Sequence, residues 1–450
     1  MKVFAGKGAC LGMAVSAAAM ASLPALAQEI EAGRKGVFSI GIGLDAGSNV
    51  DLKRGGDGSD YRATTRLGYD YTLKTTTTDL TFGLSVNPEF AAHEDVSAQP
   101  KFSLAFTHRE ARNEISFGAN YQRSKITDQS IAYDQNGAPF LYDGNGERSQ
   151  ASVAAKFTGG IDQPFGYVLG LTHTETDYFG DVAASQSPSR SNGATLDLRA
   201  DLSSTRQVGL SFSHLLYDVD NADDLSRRTD SATLSFDQRL SSVATLGVSV
   251  GHSEVESDRR SGDKTLSGTT WGLSLTREDP RGKTVLSYDR ALSETGNRDT
   301  VSLARKAETR LGQFDGSIGL SRGETGNTDV IAGLGYEMEL PRDQLSLDLS
   351  RRIATNDDGE DVLTTRFQGN YAHDLSEVNA VNFGLSATVT DAPGDKSTRV
   401  DGSLSYSHEL TPEAALSAGV RLGLSQRTDE DDADSQALFI SFDRRFETRR

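Results

Sequence analysis

Between residues 61 and 73 the chain reads Tyr61-Arg62-Ala63-Thr64-Thr65-Arg66-Leu67-Gly68-Tyr69-Asp70-Tyr71-Thr72-Leu73. Side chains along an extended strand point to alternate faces. Tyr61, Ala63, Thr65, Leu67, Tyr69, Tyr71 and Leu73 therefore share one face. Arg62, Thr64, Arg66 and Asp70 share the other. A helix would scatter both sets around its axis, so this stretch predicts a strand with one apolar and one charged face.

The same period of two runs outward in both directions. Phe38, Ile40, Ile42 and Leu44 alternate with Ser39, Gly41, Gly43 and Asp45. Later rows include Phe102, Leu104 and Phe106; Val381, Phe383, Leu385, Ala387 and Val389; and Leu438, Ile440 and Phe442. The bursts predict ~22 strands of about 10 residues, the length that crosses a bilayer when tilted. Their connections alternate too. Tight turns such as Lys74-Thr78, Glu110-Asn113, Ser203-Arg206 and Asp374-Glu377 are separated by long polar loops such as Ala46-Asp60, Asn87-Ser97 and Thr127-Glu147. A soluble sandwich has no need of that rhythm, whereas a membrane barrel has short turns on one side and long loops on the other. The fold class expected is all-β: a single large antiparallel transmembrane β-barrel spanning residues 36–446, preceded by a short periplasmic segment, 28–35, and followed by a tail, 447–450.

Composition agrees with that expectation. Apolar residues make up 36% of the 450-residue chain, and beyond the N-terminus no uncharged apolar run is long enough for a helical span. The first residues have the form of a secretion signal. Lys2 and Lys7 precede an apolar, Ala-rich stretch, and Ala25-Leu26-Ala27 offers small residues for cleavage, giving a removed segment 1–27. Cys10, the chain's one cysteine, lies inside it, so the mature protein is expected to have no disulfide and no thiolate chemistry. The formal charge of −18 makes nucleic acid an improbable partner on electrostatic grounds.

These alternating rows, and the final strand from Gln436 to Phe446, resemble the outer-membrane β-barrel proteins of Gram-negative bacteria over the whole mature length. No characterised subfamily is singled out. The resemblance implies an outer-membrane location and long loops facing outside. It implies as partners the membrane lipid, lipopolysaccharide and the assembly machinery that reads a terminal aromatic. Here Phe446 is followed by Glu447-Thr448-Arg449-Arg450, a departure from that ending.

In such a barrel the apolar rows face lipid. The lining candidates are then Arg62, Arg66, Asp70, Asp197, Arg199, Asp237, Asp348, Arg352, Arg366, Arg399 and Asp401. They mix both signs and form no single-sign ring of the kind that filters ions, so stabilisation of the wall is the simpler reading. His108, His173, His214, His252, His373 and His408 fall on outward rows. That arrangement leaves no Ser–His–Asp hydrolase site, and no enzymatic activity is expected. Almost no aromatic is expected on the inner face. Acidic outer loops, including Asp218 to Asp224, residues 357–361 and Asp429 to Asp434, are candidates for weak Ca²⁺ or Mg²⁺ binding; no other cofactor is implied.

Only residues 28–35 precede the first expected strand, which predicts a barrel without a plug domain. The loop Thr127–Glu147 is equally suited to fold inward or to lie on the surface. The function expected is a porin-like passive channel for small hydrophilic solutes. The alternatives are an export pore for polysaccharide or another secreted substrate, working with partner proteins, and a closed structural barrel for surface interaction.

Overall fold

A computed structural model describes residues 33–449, except for 51, 53–57, 92–96, 127–130, 134–138, 143–144, 185, 222–223, 325, 357–359 and 429–430. The expected signal segment, Cys10 and parts of the acidic outer loops lie outside the described residues.

The wall is a closed antiparallel barrel of 22 strands. It opens with Gly33–Ser48, paired to Ser59–Lys74, and ends with Ala433–Arg449. The last strand returns to the first: Phe38 lies opposite Phe446, Ile42 opposite Phe442 and Ser48 opposite Gln436. Closure leaves no edge strand, so the ladders satisfy the backbone of the membrane-spanning wall, which an apolar membrane demands. Two short elements decorate the loop end. Glu89–Ala91 pairs with Ser59–Lys74 where Thr78–Val86 has stopped. Ile131–Tyr133 and Pro139–Leu141 form a separate two-stranded ribbon within the longest loop.

Register follows from the alternation. Phe38, Ile40, Ile42 and Leu44 face Tyr69, Leu67, Thr65 and Ala63 across one ladder, while Asp45 faces Arg62. A one-residue slip would exchange the faces and carry Arg66 and Asp70 into lipid. Each arginine at the bilayer midplane costs about 2–4 kcal/mol, so a few such rows suffice to hold the register. Aromatic side chains add a continuous outer run across the seam. Phe446 meets Phe38 at 6.0 Å between ring centroids, Tyr69 meets Phe82 at 6.5 Å, and Phe82 meets Phe102 at 5.7 Å. Elsewhere on the same wall Trp271 stacks on Tyr288 at 4.4 Å.

Tight hairpins close the end that carries both described termini. Three of them contain a register shift, at Asp201/Ser203, Asp374/Ser376 and Glu409/Thr411, which sharpens the twist into a short connection. At the opposite end the loops are fastened by small clusters. Ile126, Tyr142 and Val182 are buried together with Tyr178 against them, and Tyr217, Val219 and Leu225 form a second group. Burial pushes the Tyr142 phenol above the usual tyrosine range.

Toward the loop end the outward rows of several strands change from apolar to ionic. Above Leu171, Arg190 pairs with Glu175 at 2.9 Å; above Leu234, Arg228 pairs with Asp230 at 2.6 Å. Charged side chains fit there because the wall emerges from hydrocarbon into the headgroups.

Candidate functional site: the luminal wall

Several ion pairs join strands that are not neighbours. Arg421, on Ala414–Arg427, reaches over Ala437 of the last strand to Asp45 on the first. Arg298, on Gly296–Glu308, reaches Asp361, at the start of a strand four places further round the wall. Arg227 similarly reaches Glu294. Such bridges form only on the concave side of a curved sheet, where side chains converge. They identify the face shared by Asp45, Arg62 and Arg227 as the lumen.

The lining candidates have the following neighbours. Arg62 donates to Asp45 at 3.3 Å and Arg66 to Asp443 at 2.8 Å. Asp70 lies over Gly83, opposite Val37. Asp197 accepts from the Ser211 hydroxyl at 2.5 Å, and Arg199 donates to the Gln163 carbonyl at 3.3 Å. Asp237 stands opposite Gln207 and Gly247. These three residues lie on one stretch of wall, distant in strand order from the rest.

Asp348, Arg352, Arg366, Arg399 and Asp401 form a second group, on Asp343–Thr355, Asp361–Ser376 and Asp395–Thr411, with Asn379–Ala392 completing the patch between them. Cross-strand pairing arranges them in rows. Ser350, Arg366, Thr388 and Arg399 lie side by side, with Asp348, Gln368, Ser386 and Asp401 one step nearer the tight turns and Arg352 and Thr364 one step nearer the loops. Arg399 grips Asp401 through two nitrogens, at 2.9 and 3.2 Å. Arg366 donates to the Gln368 side-chain oxygen at 3.3 Å.

Beside this group the wall folds into a concavity of 690 Å³. Its floor is small and polar: Ser317, Gly319, Gly333, Gly335, Ser346 and Ser350. Arg298 and Arg352 stand at its loop end; Asp315, Glu337 and Asp348 stand toward the tight turns. A Cβ at Gly333 would come within 2.7 Å of the Ser317 hydroxyl, so the glycine keeps the floor flat. Among the described residues no group of three or more His, Cys, Asp or Glu is placed to hold a metal ion.

Alternation alone did not single out Asp45, Arg298 or Arg421, although each has the inward parity of its strand, nor Asp361, the first residue of its strand, which has the outward parity of Leu363. Inward aromatics were missed as well. Phe439 lies under the Arg421 guanidinium at 4.2 Å, and Tyr217 near that of Arg227 at 5.6 Å. Four of the described histidines bond along the outer wall: His108 to Thr78, His173 to Asn192, His373 to Asp343 and His408 to Asn379.

A closed, lipid-faced barrel with a polar lumen is an outer-membrane protein of a Gram-negative bacterium. The chain matches no protein-family profile and no curated protein sequence. Solved structures do resemble it. The ferric-catecholate import receptor Fiu from E. coli K12 aligns with a TM-score of 0.59 and 9% identity, over 93% of this chain and 82% of the receptor. The FrpB iron transporter from Neisseria meningitidis gives 0.57 and 8%, over 91% and 82%. The ferric enterobactin receptor PfeA from Pseudomonas aeruginosa gives 0.55 and 10%, over 92% and 82%. These likenesses are of fold.

They correct two expectations. Porins have 16–18 strands around an open channel, whereas the 22-strand outer-membrane transporters have a plugged lumen. The barrel has the strand number and form of the receptors. The plug-free architecture and the passive porin-like channel inferred from the sequence are therefore withdrawn.

Proposed function

We propose that the chain is the barrel of an outer-membrane import receptor whose cargo is an iron chelate. The observation that supports this reading is the wall itself, 22 strands closed in the form of receptors and transporters of iron and ferric siderophores. A lumen of this width, left open, would breach the permeability barrier. In this reading a plug closes it, as in other barrels of the size. The described residues supply wall and loops.

Residues 1–27 serve for export, and lipid, lipopolysaccharide and the barrel assembly machinery are the partners of the wall. Chemistry on the cargo has no part in this reading. The test is growth under iron limitation. Deleting the gene in its native cell should abolish growth on one or a few ferric chelates, and restoring the full chain should recover it. Growth unchanged across a broad panel of chelates would overturn the reading.

A further inference from the structure

In the lumen most arginines near the loop end are matched to acids. Arg62 and Arg421 share Asp45, Arg298 holds Asp361, Arg399 holds Asp401, and Arg427 holds Asp395. Arg352 and Arg366 differ: neither has an acidic partner among the described residues. Both adjoin Thr364, Arg352 directly across the ladder and Arg366 two places along the same strand. Directly opposed residues are about 5 Å apart at Cα, and same-face neighbours on one strand about 7 Å. The space over Thr364 is therefore within the length of either side chain, although Arg366 here donates to Gln368 on its other side.

Thr364 supplies the second observation. It retains only 9% of its exposure, yet its hydroxyl has no hydrogen-bond partner. A buried hydroxyl left unpaired costs about 1–3 kcal/mol. Of the acids around Thr364, Asp361 is engaged by Arg298 and Thr355 and Asp401 by Arg399, while Asp348, diagonal to Arg366, makes no ion pair with either arginine. Two cations and one free donor thus adjoin on the wall, with no acid paired to either guanidinium among the described residues.

We infer that Arg352, Arg366 and Thr364 form an oxyanion-binding site in the lumen, for a phosphate, a carboxylate or the anionic oxygen face of a metal chelate. Guanidinium groups suit this ligand because their paired N–H donors match two oxygens at once. The Thr364 hydroxyl supplies a further donor, and the 690 Å³ concavity beside Arg352 leaves room for the rest of the ligand. As a site for cargo this rests on the import reading; as an oxyanion site it does not.

Binding to the purified full-length protein in detergent tests it, with inorganic phosphate and the iron(III) tris-catecholate complex as separate probes at low salt. Binding of at least one probe is expected. The double variant R352Q/R366Q should weaken it at least tenfold and T364V about threefold. R351Q should leave it unchanged, since Arg351 has the opposite parity and faces outward beside Ala332. Should the double variant fail to fold, T364V and R352K test the same site. Phosphate binding without chelate binding upholds the site and removes this chelate as its ligand. Binding of neither probe, binding unchanged in R352Q/R366Q, or equal loss in R351Q overturns the site, while the growth test of import stands separately.

Discussion

Asp45 and Arg421 are 376 residues apart in sequence and ion-paired across the closure of the barrel. The pair passes over the last strand, so it ties the first strand to the penultimate one. Arg62 binds the same carboxylate from the other side, and Asp45 is almost fully buried between them. One acid thus fastens three strands at the joint where the sheet must find its own beginning.

Replacing Asp45 leaves two guanidinium groups facing each other without their anion. D45A should lower stability by about 2 kcal/mol, within the range for a buried hydrogen-bonded group whose partners retain some solvent. Folded barrels resist detergent until heated and then change mobility on a gel. The temperature of that change should fall in D45A and in R421Q, and by less in R66Q, whose partner Asp443 is more exposed.

Parity can be tested at adjacent residues. Leu273 is on the outer wall, opposite Val248 and Tyr288, while Ser274 faces the lumen opposite Gly247 and Ser287. L273R places a cation in lipid and should cost about 2–4 kcal/mol, whereas S274R should cost under 1 kcal/mol. Denaturant titration of the refolded variants in lipid vesicles measures the difference.

Gly160 turns the chain between Gly146–Gly159 and Phe165–Gly180 with φ of +69°. A Cβ there would lie 2.1 Å from the Phe165 carbonyl oxygen. G160A should therefore destabilise by at least about 1 kcal/mol, from left-handed strain and the clash together. G394A is the control, at φ of +80° with nothing within 4 Å of the added Cβ. It should cost less in the same heat-mobility assay.

Val182 is fully buried against Ile126 and Tyr142. V182D should release this anchor of the longest loop. Trypsin added to intact cells should then cut at Lys125 or Arg148 faster than in the native protein, with the barrel wall left folded. Equal cutting rates would show that the cluster does not fasten the loop.

The all-β membrane barrel could be read from the sequence because period-two alternation sets its strands locally. Arg62, Asp197, Asp348 and Arg366 were expected on the inner face from alternation alone. Their partners were not legible. The reach of Arg421 to Asp45, or of Arg298 to Asp361, depends on curvature across several strands, which no local pattern encodes. Phe439 was missed for a related reason: an aromatic on a polar face departs from the pattern, and only the guanidinium lying over it accounts for its place. The passive channel was a different kind of error. Strand number sets lumen width, and 22 strands enclose a space that transporters of this size keep plugged.

The most direct test of import by a gated receptor is initial-rate uptake of a radiolabelled ferric chelate by the native cell, with and without this chain. Rates that saturate with concentration, require the chain and are lost when a protonophore collapses the energy supply are predicted. Chain-dependent uptake that rises linearly without saturation and ignores the protonophore would contradict the account.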